Sequence, residues 1–349
     1  MRMRPAGWMA CLCAALVLGV GAAALGAAAE KAPDKAPDPS TPPATAGKDE
    51  PAKTSGQEGA TAKIEKQINS MQDRMSELQT QEFKISTEVM RIQMAAQQAL
   101  GTIAPDKARD DLAKGATKKE LVDYRAALVN CAGQWKGFAD RYMSVVRTGR
   151  GLEAMREKAP PELQTKIDEV ARKAEDKYRT LMERVADLYE KVGDYRSALQ
   201  INLSLYQAVP ENKRAGERQL KEMIATLYER VGDGRNALTM LKGIMDGLPE
   251  KDRYKDKKLA ERVAGLYEKA GDTRTAFQIL KAAVEAVPEK DRYSKERKMA
   301  EHLGDLYAKG GDFQAAVGIY NACLNGIAAD KRDTDGKGLR TKIKDNTKK

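Results

Sequence analysis

Few side chains in this 349-residue chain have the type and spacing to do chemistry. There is one histidine, His302, which excludes a multi-histidine metal site and leaves little room for Ser-His-Asp catalysis. Of four cysteines, Cys11 and Cys13 lie near the start, while Cys131 and Cys323 are far apart in different segments. No CxxC or Cys/His metal spacing occurs, so the two later thiols are either small buried apolar residues or a disulfide pair. No Gly-rich phosphate loop, nucleophile elbow or metal motif is present. Carboxylate pairs are frequent, but with 32% charged residues composition alone produces them. The chemistry on offer is therefore that of charged surfaces. The reading is a non-enzyme with no catalytic residues, metal, cofactor or small-molecule substrate.

The elements that must carry those surfaces are helical. Hydrophobic residues make up 42% of the chain and aromatics only 5%, with a formal net charge of +10. That balance fits an all-α protein long enough for two or three domains. Arg2 and Arg4 precede an uncharged run from Ala6 to Ala29, which ends in Ala27-Ala28-Ala29 before Glu30. Residues 1–29 read as a secretory signal peptide, and their removal leaves +8. A retained anchor is the alternative, because the run is long enough to cross about 30 Å of hydrocarbon. In both readings the rest of the chain is exported, to the periplasm or cell envelope in a double-membraned bacterium. Nucleic acid fits poorly with such a chain, and no aromatic-interleaved basic face occurs.

Residues 30–62 hold Pro33, Pro37, Pro39, Pro42, Pro43 and Pro51 and read as a disordered Pro-rich linker. Apolar positions then step by four and three: Ile64, Ile68, Met71, Met75, Leu78, Ile85, Val89, Ile92, Ala96 and Ala99, with Glu82 as the one break. A second stripe follows at Leu121, Tyr124, Leu128, Cys131, Trp135, Phe138, Tyr142 and Val145. Heptads of this quality predict a coiled-coil helical segment over 63–150. Gly101, Pro105 and Gly115 separate the two runs and permit a short helix between them. An antiparallel hairpin within one chain is the simplest arrangement. Self-association through residues 64–100 as a parallel oligomer is the alternative.

From Leu181 the chain repeats itself. Leu188-Tyr189, Leu227-Tyr228, Leu266-Tyr267 and Leu306-Tyr307 are each followed by a Gly-Asp pair: Gly193-Asp194, Gly232-Asp233, Gly271-Asp272 and Gly311-Asp312. Pro210, Pro249 and Pro288 close three of the copies, and Ala328 stands at the fourth. Each copy predicts a helix hairpin. Leu181, Val185, Leu188 and Tyr189 share one face of the first helix. Gly193 can take the left-handed conformation that ends it, and Asp194 can cap the second helix. Ala198, Leu199 and Leu205 line that second helix, which Pro210 stops. A hairpin with an apolar face that it cannot bury alone must stack on its neighbours. Residues 161–180, with Leu163, Ile167, Val170 and Ala174, are expected to run as one helix into the first copy and cap it.

These copies resemble the tetratricopeptide repeat (TPR) over residues 179–328. The small residue before the tyrosine (Ala186, Ala225, Ala264, Gly304), the glycine after it, the alanine of the second helix (Ala198, Ala237, Ala276, Ala316) and the closing proline all sit at that family's spacing. Departures are a period longer by five or six residues and Met182, Lys221, Ala260 and Ala300 at the usual tryptophan position. The resemblance implies an α-solenoid of four TPR-like helix hairpins over 161–328, preceded by the coiled-coil hairpin. It also implies a protein partner bound in a groove lined by the first helices. Mapped onto this chain, the groove carries an acidic row, Glu183, Glu222, Glu261 and Glu301, and a basic row, Lys191, Arg230, Lys269 and Lys309, with Glu190, Glu229 and Glu268 beside the latter. These rows either grip a segment bearing both charge signs or pair with one another as ordinary helix ion pairs. Asp187, Thr226, Gly265 and Asp305 stand where a carboxylate clamp needs asparagine, so no clamp for chaperone C-termini is expected. His302 reads as a flank residue of the fourth copy. Residues 329–349, with Lys337, Arg340, Lys342, Lys344, Lys348 and Lys349, read as a solvated basic tail. The functional expectation is an exported interaction scaffold. The alternative is a binder of an anionic polymer or membrane surface through that tail.

Overall fold

The computed structural model describes residues 54–348. The leader and the linker as far as residue 53 lie outside the described residues, as do Cys11 and Cys13. Among the described residues all regular structure is helical: α1 Thr54–Ala99, α2 Pro105–Ala113, α3 Lys119–Glu153, α4 Pro161–Lys191, α5 Tyr195–Ala208, α6 Arg218–Arg230, α7 Gly234–Asp246, α8 Lys257–Lys269, α9 Thr273–Glu285, α10 Glu289–Arg292, α11 Arg297–Lys309, α12 Phe313–Asn325, α13 Arg332–Asp335 and α14 Lys337–Thr347. None of these helices is long and apolar enough to cross a membrane. The end of the expected linker is helical from Thr54: Pro51 is the last proline before Pro105, so no helix breaker of that kind interrupts the run.

The chain forms two compact units. One combines residues up to 91 with residues 133–181, and the other combines 92–132 with 182–349. The division falls inside α1, α3 and α4, whereas composition alone places it in the loop after residue 150.

The first unit is built from three heptad stripes. Ile64, Ile68, Met71, Leu78 and Val89 of α1 are buried, as are Trp135, Phe138, Tyr142 and Val145 of α3 and Leu163, Ile167, Val170 and Ala174 of α4. Arg141 donates to Gln81 at 2.7 Å, and a Cβ on Gly149 would lie 3.3 Å from the Met71 Cε, so α1 and α3 run antiparallel. Arg150 pairs with Glu175 and Arg156 with Asp168, which sets α4 antiparallel to α3 in turn. The expected intrachain hairpin is therefore present, with residues 161–181 as its third helix and not merely a cap on the repeats. The aromatic stripe packs edge-to-face, with Phe138 and Tyr142 centroids 5.5 Å apart.

The second unit holds the repeats. Residues 182–191 and α5 carry the first copy, and after them the hairpins α6–α7, α8–α9 and α11–α12 stack in sequence. Their buried residues form one continuous core from Ala225 to Leu339. The sequence-derived turn chemistry holds in every copy. Gly193, Gly232, Gly271 and Gly311 have φ of 74°, 83°, 86° and 86°. Each following aspartate accepts from the backbone N–H three residues on, a cap worth about 1 kcal/mol.

Hairpins end by a second device that the repeat pattern contains but does not announce. Arg214, Arg292 and Arg332 each reach back to the last carbonyls of the preceding helix. Arg214 Nε donates to Val209 O at 2.9 Å, and Arg332 Nε to Ile327 O at 2.9 Å. Their Nη2 atoms reach Gln207 O at 3.0 Å and Asn325 O at 3.1 Å, satisfying groups the helix end leaves open. Ala328, at φ −54° and ψ 141°, holds nearly the geometry of Pro288 at −52° and 136°, so the fourth copy closes like the others without its proline.

The expected solvated tail is also folded. α14 packs on α12, burying Leu339, with Ile343 against the same core. It is a fifth first-helix, forty residues after α11. Asn346 and Thr347 stand where the repeats carry Leu-Tyr, giving the polar outer face that a terminal cap requires.

Candidate charged surface of the repeats

The charged rows sit on α4, α6, α8 and α11, and most of their members are spent within the chain. Glu222 accepts from Arg218 Nε at 2.7 Å, and Glu301 pairs with Lys342 at 2.8 Å. Lys309 bonds Glu268, Lys191 lies 2.5 Å from Asp187, and Arg230 is 3.9 Å from Asp110 and stacked over the Tyr195 ring at 5.6 Å. Glu183 is half-buried and also engaged. Of the eight residues, Glu261 and Lys269 have no ion-pair partner among the described residues. Gly265 lies midway between them on the same side of α8, and a Cβ there would meet nothing within 4 Å.

The pairs form a ladder between successive first helices. Arg262 on α8 bonds Glu229 on α6 at 2.5 Å and Thr226 at 3.0 Å. One repeat later, His302 Nε2 lies 2.8 Å from Glu268, so His302 is a rung of the stack rather than a bystander. One repeat later again, Lys342 reaches Glu301 and Asp305. Arg262, His302 and Lys342 are equivalent positions at intervals of 40 residues. That equivalence was the available signal for the ladder, and for seeing that α14 belongs to the repeats. Partly exposed pairs of this kind contribute about 0.2–1 kcal/mol each.

The first rung is missing, since Met223 stands where Arg262 and His302 reach back. The glutamate it would serve, Glu190, is pushed above the usual carboxylate range by burial and by neighbouring Asp187, against the pull of Arg109, Arg230 and Lys191. Glu268, at the same position two repeats on, is held below that range by hydrogen bonds from Lys309 and His302.

Cys131 and Cys323 are both buried thiols, and burial pushes Cys323 up to about 12, the wrong direction for a nucleophile. Among the described residues no group of three or more His, Cys, Asp or Glu side chains is placed to hold a metal ion. Two surface depressions, of about 400 and 540 Å³, are lined by Ser70, Asp73, Arg74 and Ser144 and by Gly311, Phe313, Val317 and Asn346 respectively.

No protein-family model matches the chain, and no curated protein matches it. Among solved structures, the chain is similar to BtubC (BKLC) from P. vanneervenii at 17% identity and a TM-score of 0.34, over 76% of this chain and 92% of that one. It is also similar to a circular tandem repeat protein with novel repeat topology, at 14% identity and a TM-score of 0.26, over 84% and 77% respectively.

Proposed function

We propose that this chain is an exported, non-enzymatic scaffold of the cell envelope, whose TPR-like repeats hold a protein partner. The observation that carries the reading is the vacancy on α8. In a ladder where neighbouring charges are satisfied within the chain, Glu261 and Lys269 stay unpaired on either side of the open Gly265 position. A partner segment bearing both charge signs would complete them. The leader supports the envelope as the compartment. The tail-driven alternative is left with little: Arg340 pairs with Asp333 and Lys342 with Glu301 and Asp305, leaving Lys337, Lys344 and Lys348 exposed.

The test is a photo-crosslinking residue placed at Gly265 of the full chain in living cells. The expected result is a discrete protein adduct in the envelope fraction, kept by Lys269→Arg and lost in Glu261→Lys/Lys269→Glu. No adduct, or one indifferent to the charge reversal, overturns the reading.

A further inference from the structure

Another part of the chain lies beside the missing first rung. α2 lies on the turn of the first repeat so closely that a Cβ on Gly193 would stand 2.7 Å from both Ala113 N and Arg109 O. At Gly232, Gly271 and Gly311, the same position in the other repeats, a Cβ would meet nothing within 4 Å. The docked helix brings charges of both signs. Asp110 faces Arg230, and Arg109 is among the cations that pull on Glu190, the glutamate left without its rung by Met223.

The fit is incomplete. The Tyr195 side chain, 8% exposed, has a buried hydroxyl with no hydrogen-bond partner among the described residues. Arg109 makes its nearest contacts to Asp106 and Asp110 of its own helix, at 3.0 and 3.3 Å, and not to Glu190. α2 buries only Ala108 and Leu112 over nine residues, and helices shorter than about 12 residues are marginal without packing. Gly101 (φ 59°) precedes it and Gly115 (φ 83°) follows, both in open space.

We propose that this surface, comprising Asp187, Glu190, the Gly193 turn, Tyr195 and Arg230, is a docking site for a short helix of a protein partner. That helix carries an arginine beside an aspartate, and α2 is the resident mimic that it displaces. The proposal rests on the scaffold reading above but concerns the first repeat, two repeats before Gly265. A partner arginine reaches Glu190, its aspartate reaches Arg230, a small residue lies against Gly193, and a polar side chain satisfies the Tyr195 hydroxyl. A tethered α2 competes at an effective concentration on the order of millimolar, so the site is masked until a better helix arrives.

The probe is a fluorescein-labelled peptide of residues 102–115, titrated by anisotropy into the purified full chain and into an Arg109→Glu/Leu112→Ala variant whose own α2 is loosened. Hydrogen exchange is read in parallel. In the variant, amides 106–113 are expected to exchange freely while α8 and α9 stay protected, which separates release of α2 from unfolding. The expected binding result is a peptide affinity at least tenfold higher for the variant than for the natural chain, abolished by adding Arg230→Glu. A variant with α2 released and repeats intact that binds the peptide no better overturns the proposal. So does a natural chain in which amides 106–113 exchange as slowly as those of α8. Because the readout uses purified protein and this peptide, it can fail while the Gly265 adduct persists, and the reverse.

Discussion

Lys177 Nζ lies 2.6 Å from Glu82 Oε2, joining the two charged residues that interrupt the heptad stripes of α4 and α1. Glu82 stands between Leu78 and Ile85, and Lys177 between Ala174 and Leu181, so each helix breaks its apolar run at the same level. The Glu82 side chain is 13% exposed. Removing Lys177 alone takes this cation from a mostly buried carboxylate, whereas replacing both charges with apolar groups leaves no buried charge to satisfy. Lys177→Leu is therefore expected to cost about 1–3 kcal/mol, while Glu82→Leu/Lys177→Leu returns to within about 1 kcal/mol of the natural chain. Urea unfolding followed by circular dichroism measures both. A single variant as stable as the natural chain would show that the pair does not hold this layer.

Asn202 occupies the position that Leu241 and Leu280 fill in the next two repeats. It is fully buried, its amide nitrogen donates to Ala198 O at 2.9 Å, and its carbonyl oxygen has no partner. A buried acceptor left open costs about 1–3 kcal/mol, and leucine has nearly the same shape. Asn202→Leu is expected to raise the melting temperature by about 2–4 °C, the response of a domain this size to about 1 kcal/mol. A fall in a calorimetric scan would mean that Asn202 serves a polar neighbour.

The repeats were legible in the sequence because four copies place a glycine, an aspartate cap and an apolar face at fixed intervals, and local physics makes each of those residues do one thing. α14 was not legible because it is half a copy: Leu339 and Ile343 keep the apolar face, but Asn346 and Thr347 replace the Leu-Tyr signature. The third helix of the bundle was half legible. Leu163, Ile167, Val170 and Ala174 follow a heptad, but Lys177 ends the apolar run unless Glu82 is known to face it. The charged rows were the hardest. Spacing puts Glu222 and Glu301 on one side of their helices, but only packing shows that Arg218 and Lys342 already hold them.

Gly304 and Tyr320 are a matched departure from the other repeats, which carry alanine and, in two of them, leucine at these positions. A Cβ on Gly304 would lie 2.7 Å from Tyr320 Cε1, and the ring cannot easily yield because its hydroxyl donates to Asp305 at 2.8 Å. Alanine inside a helix is ordinarily preferred over glycine by up to about 1 kcal/mol. Here the overlap reverses the sign, and Gly304→Ala is expected to destabilise by about 1–3 kcal/mol. Adding Tyr320→Leu restores the geometry of the second and third repeats and should recover most of the loss. A double-mutant cycle on denaturation midpoints tests this, and additive effects would contradict the pairing.

Glu190 and Glu268 occupy the same repeat position with opposite pKa displacements, which sets opposite signs for their removal. Glu268 is held low, chiefly by Lys309 and then by His302. Its contribution is present above its unfolded value of about 4.3 and is lost as pH falls through its folded value. Glu190 is held high, chiefly by burial and then by Asp187. Its charge subtracts from stability above the folded value, and the penalty vanishes below the unfolded one. At pH 7 Glu268→Gln is expected to lower the melting temperature and Glu190→Gln to raise it, each by about 1–4 °C. Near pH 3.5 both differences should shrink. Thermal melts at pH 3.5, 5 and 7 resolve the pattern. If Glu190→Gln lowered the melting temperature at neutral pH, Arg109 would be compensating this carboxylate fully, and α2 would be an integral part of the repeat rather than a displaceable one.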